Sequence, residues 1–239
     1  MIGIIIPTYN EKDNIFKLTK TLIKLHPDCH IFIIDDTKEY NLRDYFKNKR
    51  KISYIYRVNK KGRGSAVIEG FKKAFINNKI KIFVEMDADF SHKPHELKKN
   101  LEKFKKLDLD LLIASRYLKK SRIYNWSIQR RVFSYLANLL AKFLLNVGVS
   151  DYTNGYRIYS RKALKVIISK CGKIGDGFIV LSEFLLQLKL HNLKISDTPS
   201  IFINRKRGES SVNFKLILQS LFGLLKLYLI KIKFYNPYK

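Results

Sequence analysis

Short apolar runs alternate with stretches of helical periodicity through the first half of the chain. The runs at 2–6, 30–34, 52–56, 80–86 and 109–114 are rich in Ile, Phe, Val and Tyr and read as strands, while the patterns at 11–25, 42–48, 65–77 and 95–106 read as helices. Strand and helix in this alternation predict an α/β fold, a mainly parallel sheet flanked by helices. Beyond 116 the rhythm changes. A basic, irregular stretch at 116–131 leads into a strongly apolar helix at 132–149, interrupted by Ser134, Asn138, Lys142 and Asn146. A polar loop follows at 151–159, then helices near 162–169 and 178–191, a strand near 199–204 and a basic loop at 205–211. A last helix runs from 213 to about 233, broken by Lys215, Gln219, Ser220, Lys226 and Lys231. No window reaches the roughly 18 consecutive apolar residues of a clear transmembrane helix, although 132–149 and 214–232 come close. The pattern divides into one α/β domain over 1–211 and a C-terminal amphipathic helix and tail over 212–239.

In open parallel sheets ligands bind beyond the carboxyl ends of the strands, so the residues after each run are candidates for a site. They are Pro7-Thr8-Tyr9-Asn10-Glu11, Asp35-Asp36, the basic glycine-bearing stretch 59–64, Asp87-Ala88-Asp89 and Ser115-Arg116-Tyr117. Strand alternation points Asp87 and Asp89 the same way and turns Ala88 inward. Two hard oxygen donors suit Mg2+ or Mn2+ with phosphate oxygens completing the shell, although Asp-x-Asp at a strand end also serves as a solvated turn or helix cap. Gly62-Arg63-Gly64 either presents backbone N–H groups to phosphate or is a bare turn. Neither a Walker A sequence nor Gly-x-Gly-x-x-Gly is present, which argues against P-loop phosphate transfer and dinucleotide redox chemistry.

Charge narrows the partner. Against 20 Asp and Glu the 239-residue chain carries 47 Lys and Arg, a formal charge of +27, so an anion is expected: a nucleotide, a nucleic acid or an acidic membrane surface. The lysines are spread along the chain with no readout module, which disfavours nucleic acid. Cys29 and Cys171 lack metal or redox spacing and read as buried or free thiols in a reducing compartment. The first strand stops at Pro7 before a signal-peptide hydrophobic region could finish, so export is not expected.

At these words the chain resembles the family 2 glycosyltransferases of GT-A fold, and within them the dolichyl-phosphate mannose synthase and polyprenyl-phosphate glycosyltransferase group. The matching words are Pro7 through Glu11, Asp35-Asp36, Gly62-Arg63-Gly64 with Ala66 and Gly70, Met86 through His92, Ser115-Arg116-Tyr117, Asp151 through Tyr159 and Arg205 through Ser210, in family order. The resemblance implies a metal-dependent inverting transfer of a hexose, foremost mannose from GDP-mannose, to dolichyl or another polyprenyl phosphate. UDP-glucose or another sugar nucleotide, or a glycan acceptor, is the alternative. Position by position, it implies that Pro7, Tyr9, Glu11 and Asp36 line the base and ribose pocket, and that Asp87 and Asp89 hold Mg2+ or Mn2+ with Ser91 as a further ligand. It places Arg116, Arg130 and Ser134 on the acceptor phosphate, and Arg205 on the donor phosphates of the closed site. Asp89, Arg116 and Arg130 are then the catalytic residues.

Two departures stand out. Thr37-Lys38-Glu39-Tyr40-Asn41 replaces a Ser-Pro-Asp-Gly-Thr-like turn, and Ser211 stands where the basic loop commonly has lysine, a charge that Lys206 or Arg207 could supply. A polyprenyl phosphate is already anionic, its second ionisation lying near ~6 as in comparable monoesters. Arginines rather than a strong base then serve the acceptor, in a single displacement without a covalent sugar–enzyme intermediate. Asp151 and Glu183 read as structural acids, with Asp151 bracing the 152–159 loop, and His92 and His95 as first-turn or surface residues. Tyr124 and Trp126 suit either a membrane interface or the core. The helices at 132–149 and 213–233 either pack in a bundle or lie in a membrane surface with lysines toward headgroups. The expected location is peripheral, on the cytoplasmic side of a membrane: endoplasmic reticulum in a eukaryote, plasma membrane in a prokaryote. A small membrane-anchoring subunit is a conceivable partner.

Overall fold

The computed structural model describes residues 1–58, 62–175, 177–204 and 214–236, with side chains in the last segment described from 218 onward. The first half alternates as its periodicity predicts. Strands β1 (Ile2–Thr8), β2 (Cys29–Asp35), β3 (Ile52–Tyr56), β4 (Ile82–Glu85) and β5 (Leu111–Ser115) are separated by helices α1 (Lys12–Leu25), α2 (Arg43–Phe46), α3 (Arg63–Phe75) and α4 (Glu96–Lys106). After β5 come β6 (Arg122–Tyr124), α5 (Ile128–Leu145), β7 (Arg157–Ser160), α6 (Arg161–Lys170), α7 (Ile179–Leu190), β8 (Ile195–Pro199), β9 (Ile201–Ile203) and α8 (Phe214–Tyr235).

The main sheet runs β3-β2-β1-β4-β7-β5-β8, with β7 antiparallel to both neighbours and the other pairs parallel. The two-residue period of a strand builds two cores, one on each face of the sheet. Ile4 and Ile6 of β1 join Ile15, Leu18 and Leu22 of α1 and Leu97 and Leu101 of α4. Ile5, between them in sequence, faces the other way onto Val67 and Phe71 of α3. Gly70 lets α3 settle against the sheet: a Cβ there would come within 2.6 Å of Ile5 Cγ2. The order of the strands reverses between β1 and β4, and a crevice opens at such a switch point beyond the strand ends. Thr8 and Asp87 lie at that place.

The second half departs from its reading in three places. β7 occupies part of the expected 151–159 loop. Its Arg157 looks like a loop residue in sequence, yet it is fully buried, donating from Nε to Asn154 O (2.8 Å), from Nη1 to Leu181 O (2.8 Å) and from Nη2 to Tyr152 O (3.0 Å). Three carbonyls meet the donors that burial would otherwise leave unsatisfied. The apolar helix begins four residues early, at Ile128, where Ser127 Oγ caps Arg130 N, and ends at Asn146 in the left-handed region (φ 50°). The strand expected near 199–204 is two, β8 in the main sheet and β9 paired with β6. Glu96 holds the bend between them, accepting from Ser200 Oγ (2.6 Å) and Ile201 N (3.0 Å).

α8, which carries most of the unit expected at 212–239, places Leu224 and Leu227 in the same core as α3 and α7. Among the described residues no helix is long and apolar enough to cross a membrane. Cys29 and Cys171 are buried and unpaired, and burial pushes the Cys29 thiol up to about 11.

Candidate active site

The side of the crevice expected to take the donor is built on the ends of β1, β2 and β4. Pro7 is buried in the ladder opposite Ile34, whereas Tyr9 is exposed, and Glu11, before the first turn of α1, accepts from Asn14 Nδ2 at 2.6 Å. Asn10 adopts φ 56°, and its N–H donates to Thr37 Oγ1 at 2.8 Å, which ties the β1 loop to the segment after β2. Both Asp36 oxygens are engaged by Arg57, which also reaches Ser65 Oγ (3.0 Å), Gly62 O (3.2 Å) and Glu69 Oε2 (3.7 Å). Asp36 thus anchors the start of α3 to the end of β2. Asp35 accepts from Thr37 N (2.9 Å) and from the Tyr54 hydroxyl (2.7 Å); burial, reinforced by that bond, raises the Tyr54 phenol.

Asp87 and Asp89 follow β4, with Ala88 buried between them as alternation predicts. Asp87 Oδ1 accepts from Arg63 Nε (3.0 Å) and Nη2 (2.7 Å), while Arg63 Nη1 donates to Glu85 Oε1 (2.7 Å). Burial works to raise the Asp87 carboxyl, and neighbouring cations, Arg63 foremost, hold it below its ordinary range. Asp89 Oδ1 accepts from Ser91 N (3.0 Å) and from Ser91 Oγ. Ser91, expected as a metal ligand, is buried and directs its hydroxyl at Asp89. Each carboxylate therefore has one oxygen fixed; neither Oδ2 makes a hydrogen bond among the described residues, and Asp87 Oδ2 lies 3.8 Å from His92 Nε2.

His92 is buried rather than on the surface, a correction to its reading as a first-turn residue. Its Nδ1 accepts from Asp87 N (3.1 Å), which leaves the proton on Nε2 to donate to Asn154 Oδ1 (3.0 Å), and its ring stacks on Tyr156 at 5.1 Å. The tight turn through Phe90, at φ 59°, brings His92 back beneath Asp87.

Mg2+ and Mn2+ fit this donor set. Among the described residues no three His, Cys, Asp or Glu side chains group to hold a metal unaided. Magnesium-type sites commonly use one or two carboxylates and take their remaining ligands from water and substrate phosphates.

On the other side Arg116 is committed to Asp151. Nε and Nη2 reach the two carboxylate oxygens at 2.8 Å each, Arg116 N adds a 2.9 Å bond, and Nη2 also donates to Thr153 Oγ1 at 2.6 Å. Asp151 is fully buried; burial alone would raise its carboxyl, and Arg116 holds it below the ordinary range. It also caps Thr153 N and Asn154 N, the bracing role expected for it. Glu183 likewise binds backbone, at Gly172 N (2.9 Å) and Lys173 N (3.4 Å).

Trp126 links the two arginines. Arg130 lies over its ring at 4.5 Å and Arg116 at 5.5 Å, within cation–π range. Arg130 also donates to Asn204 Oδ1 at 3.0 Å, and Ser134 Oγ pairs at 2.7 Å with the hydroxyl of Tyr117, over which Arg116 stacks. Arg116, Arg130 and Ser134 are thus connected through two aromatic rings, and the buried Trp126 indole N–H has no hydrogen-bond partner among the described residues. An apolar depression of about 340 Å³ opens beside Tyr117, lined by Ile123, Val132, Tyr135 and Leu136. Arg205 lies outside the described residues.

Four residues organise the site in ways the sequence reading did not assign: Arg57, which it did not name, and Arg63, His92 and Asn154, which it met only within the stretches 62–64, 86–92 and 151–159. Arg57 directly follows β3 and was within reach of the strand-end rule. Glu85, an acid inside an apolar strand, signalled that a cation must approach it.

Residues 3–168 match the model of Glycosyl transferase family 2. The chain belongs to this family. It is 31% identical over 229 residues to a polyprenol monophosphomannose synthase of Mycolicibacterium smegmatis, covering 92% of this chain and 83% of that one. To an undecaprenyl-phosphate mannosyltransferase of Micrococcus luteus it is 29% identical over 214 residues, 87% of this chain and 86% of that one. Among solved structures, the glucosyl-3-phosphoglycerate synthase of Mycobacterium tuberculosis, in complex with Mn2+, uridine-diphosphate and glucosyl-3-phosphoglycerate, superposes with a TM-score of 0.65. That match covers 95% of this chain and 79% of that one at 14% identity. The fold of this glycosyltransferase is accordingly GT-A.

Proposed function

We propose that this family 2 glycosyltransferase moves a mannosyl unit from GDP-mannose to a polyprenyl phosphate such as dolichyl phosphate, with inversion and with Mg2+ or Mn2+ as cofactor. The observation that carries the reading is the meeting of two half-engaged carboxylates, Asp87 and Asp89, with an arginine–tryptophan cluster across one crevice. The names of the two mannosyl-transferring relatives support the same substrate class.

A divalent cation at Asp87 and Asp89 supplies charge compensation for the departing diphosphate. The remaining work falls to side chains. An oxygen of the acceptor phosphate attacks the anomeric carbon as the bond from that carbon to the diphosphate oxygen breaks. The attacking oxygen is already ionised near neutral pH, so no side chain has to remove a proton. Arg130, half-buried over Trp126, orients that phosphate. Arg116, held rigid by Asp151, contributes a preorganised positive charge that lowers the repulsion between two anions. Tyr9, Glu11 and Pro7 border the donor's base and ribose.

A lipid acceptor requires the crevice to reach a membrane. α5 exposes Val132, Phe133, Leu136, Leu139 and Phe143, the last at 80% of its surface, and α8 exposes Phe222 and Leu229. Apolar faces of this extent next to Lys142 and Lys226 suit helices lying in a bilayer surface, and we assign the protein a peripheral position there. Incubation with labelled GDP-mannose or UDP-glucose, Mn2+ and dolichyl phosphate, followed by organic extraction, tests the proposal. Label from GDP-mannose should enter the organic phase; label from UDP-glucose alone would reassign the donor, and label from neither would refute the lipid-phosphate acceptor.

A further inference from the structure

Arg63 opens α3 and reaches across to two carboxylates of the β4 end. Glu85 is fully buried, and its second oxygen, Oε2, is taken by the Tyr159 hydroxyl at 2.7 Å. Arg63 therefore fixes the position of one acid by pairing and of the other by direction: both Nε and Nη2 converge on Oδ1 of Asp87, and Oδ2 is left without a hydrogen bond among the described residues, 3.8 Å from His92 Nε2. Room for this comes from Gly155, where a Cβ would stand 1.8 Å from Arg63 Nη2 and 2.7 Å from Cζ. Phe178 lies under the guanidinium at 5.6 Å.

We infer that Arg63 is a positioning residue of the cation site, held in place by Gly155, which presents Asp87 as a single-oxygen ligand. The inference rests on assigning Asp87 and Asp89 to a divalent cation. The χ2 torsion of an aspartate is broad and roughly two-fold, so an unrestrained carboxylate exchanges its oxygens. Two hydrogen bonds onto Oδ1 end that freedom, and partners of this kind set the affinity of metal ligands. Charge does not oppose the arrangement. One guanidinium against Glu85 and Asp87 leaves one negative charge, and Asp89 adds a second, so a dication is still attracted.

Gly155→Ala tests this without removing any charged group, because the new methyl must displace the guanidinium from Asp87. Mn2+ binding, read from the electron paramagnetic resonance signal of free Mn2+ with and without GDP, should weaken by about 10–100-fold. kcat at saturating Mn2+ should be largely kept. Arg63→Lys, which retains a cation beside buried Glu85 but cannot make the double contact, should fold and show an intermediate loss. Unchanged or tighter Mn2+ binding in either folded variant would overturn the inference. Asp89→Asn is the reference: if it too leaves Mn2+ binding unchanged, the cation assignment itself fails, whereas an effect of Asp89→Asn alone removes only Arg63's role.

Discussion

Both sides of the crevice are built from arginine–aspartate pairs, yet the pairs differ in what they leave over. On the donor side Arg63 takes one oxygen of Asp87 and Ser91 one oxygen of Asp89, so each carboxylate keeps an oxygen for something else. On the acceptor side Arg116 meets both oxygens of Asp151, and nothing of that carboxylate remains. In the proposed function the first arrangement is a ligand set; the second is a brace. The contrast separates residues that the family resemblance would place together as phosphate-binding: Arg116 is paired with Asp151 and orders its loop, while Arg130 sits on the face of Trp126 and donates to Asn204.

Substitutions should split along the same line. Asp89→Asn should leave the fold intact and reduce transfer by about 10³-fold or more, since the cation it helps hold is worth several kcal/mol to the leaving group. Circular dichroism with the transfer assay checks both halves. Asp151→Ala should act chiefly on stability. It leaves Arg116 buried without its partner, at a cost of about 3–5 kcal/mol and a fall in Tm of roughly 10 °C, read by thermal unfolding. The pH dependence has a definite sign. Asp151 has a folded value below its unfolded one, so its stabilisation is present above about 3.9 and is lost as pH falls through the folded value. The stability gap between the parent and Asp151→Asn should therefore narrow below about pH 4.

Smaller effects sharpen the comparison further. Arg130→Ala should raise the KM for polyprenyl phosphate roughly tenfold, the worth of one charge-assisted hydrogen bond at a half-exposed site, and leave the KM for the donor nearly unchanged. An equal effect on both would place Arg130 on the donor. Phe143→Asp, on the exposed face of α5, should weaken sedimentation with phospholipid vesicles by about tenfold or somewhat more, the burial of one aromatic ring, without changing Tm.

The donor half was legible because parallel strands declare themselves. Runs such as 2–6 and 30–34 are apolar on both faces, and their ends point to Asp36, Asp87 and Tyr9 by topology alone. What topology could not disclose was which partner each acid would find, since Arg57 and Arg63 approach from other elements at separations of more than 20 residues. The other half was less readable. β7 hides a fully buried arginine whose charge mimics a loop, and β9 leaves the main sheet at a bend whose Ser200 and Ile201 bind Glu96, more than 100 residues earlier. His92 looked like a surface residue because its partners, the Asp87 amide and Asn154, become neighbours only after the Phe90 turn closes.

The central claim is that Asp87 and Asp89 keep their free oxygens for a divalent cation on the donor diphosphate, with arginines rather than a base serving the acceptor. It is tested most directly by following mannosyl transfer from GDP-mannose to dolichyl phosphate in EDTA-treated enzyme, before and after Mn2+ or Mg2+ is restored, in parent and Asp89→Asn. Activity should vanish with EDTA and return with metal in the parent alone. Transfer that survives EDTA, or that Asp89→Asn supports at the parental rate, would contradict the account.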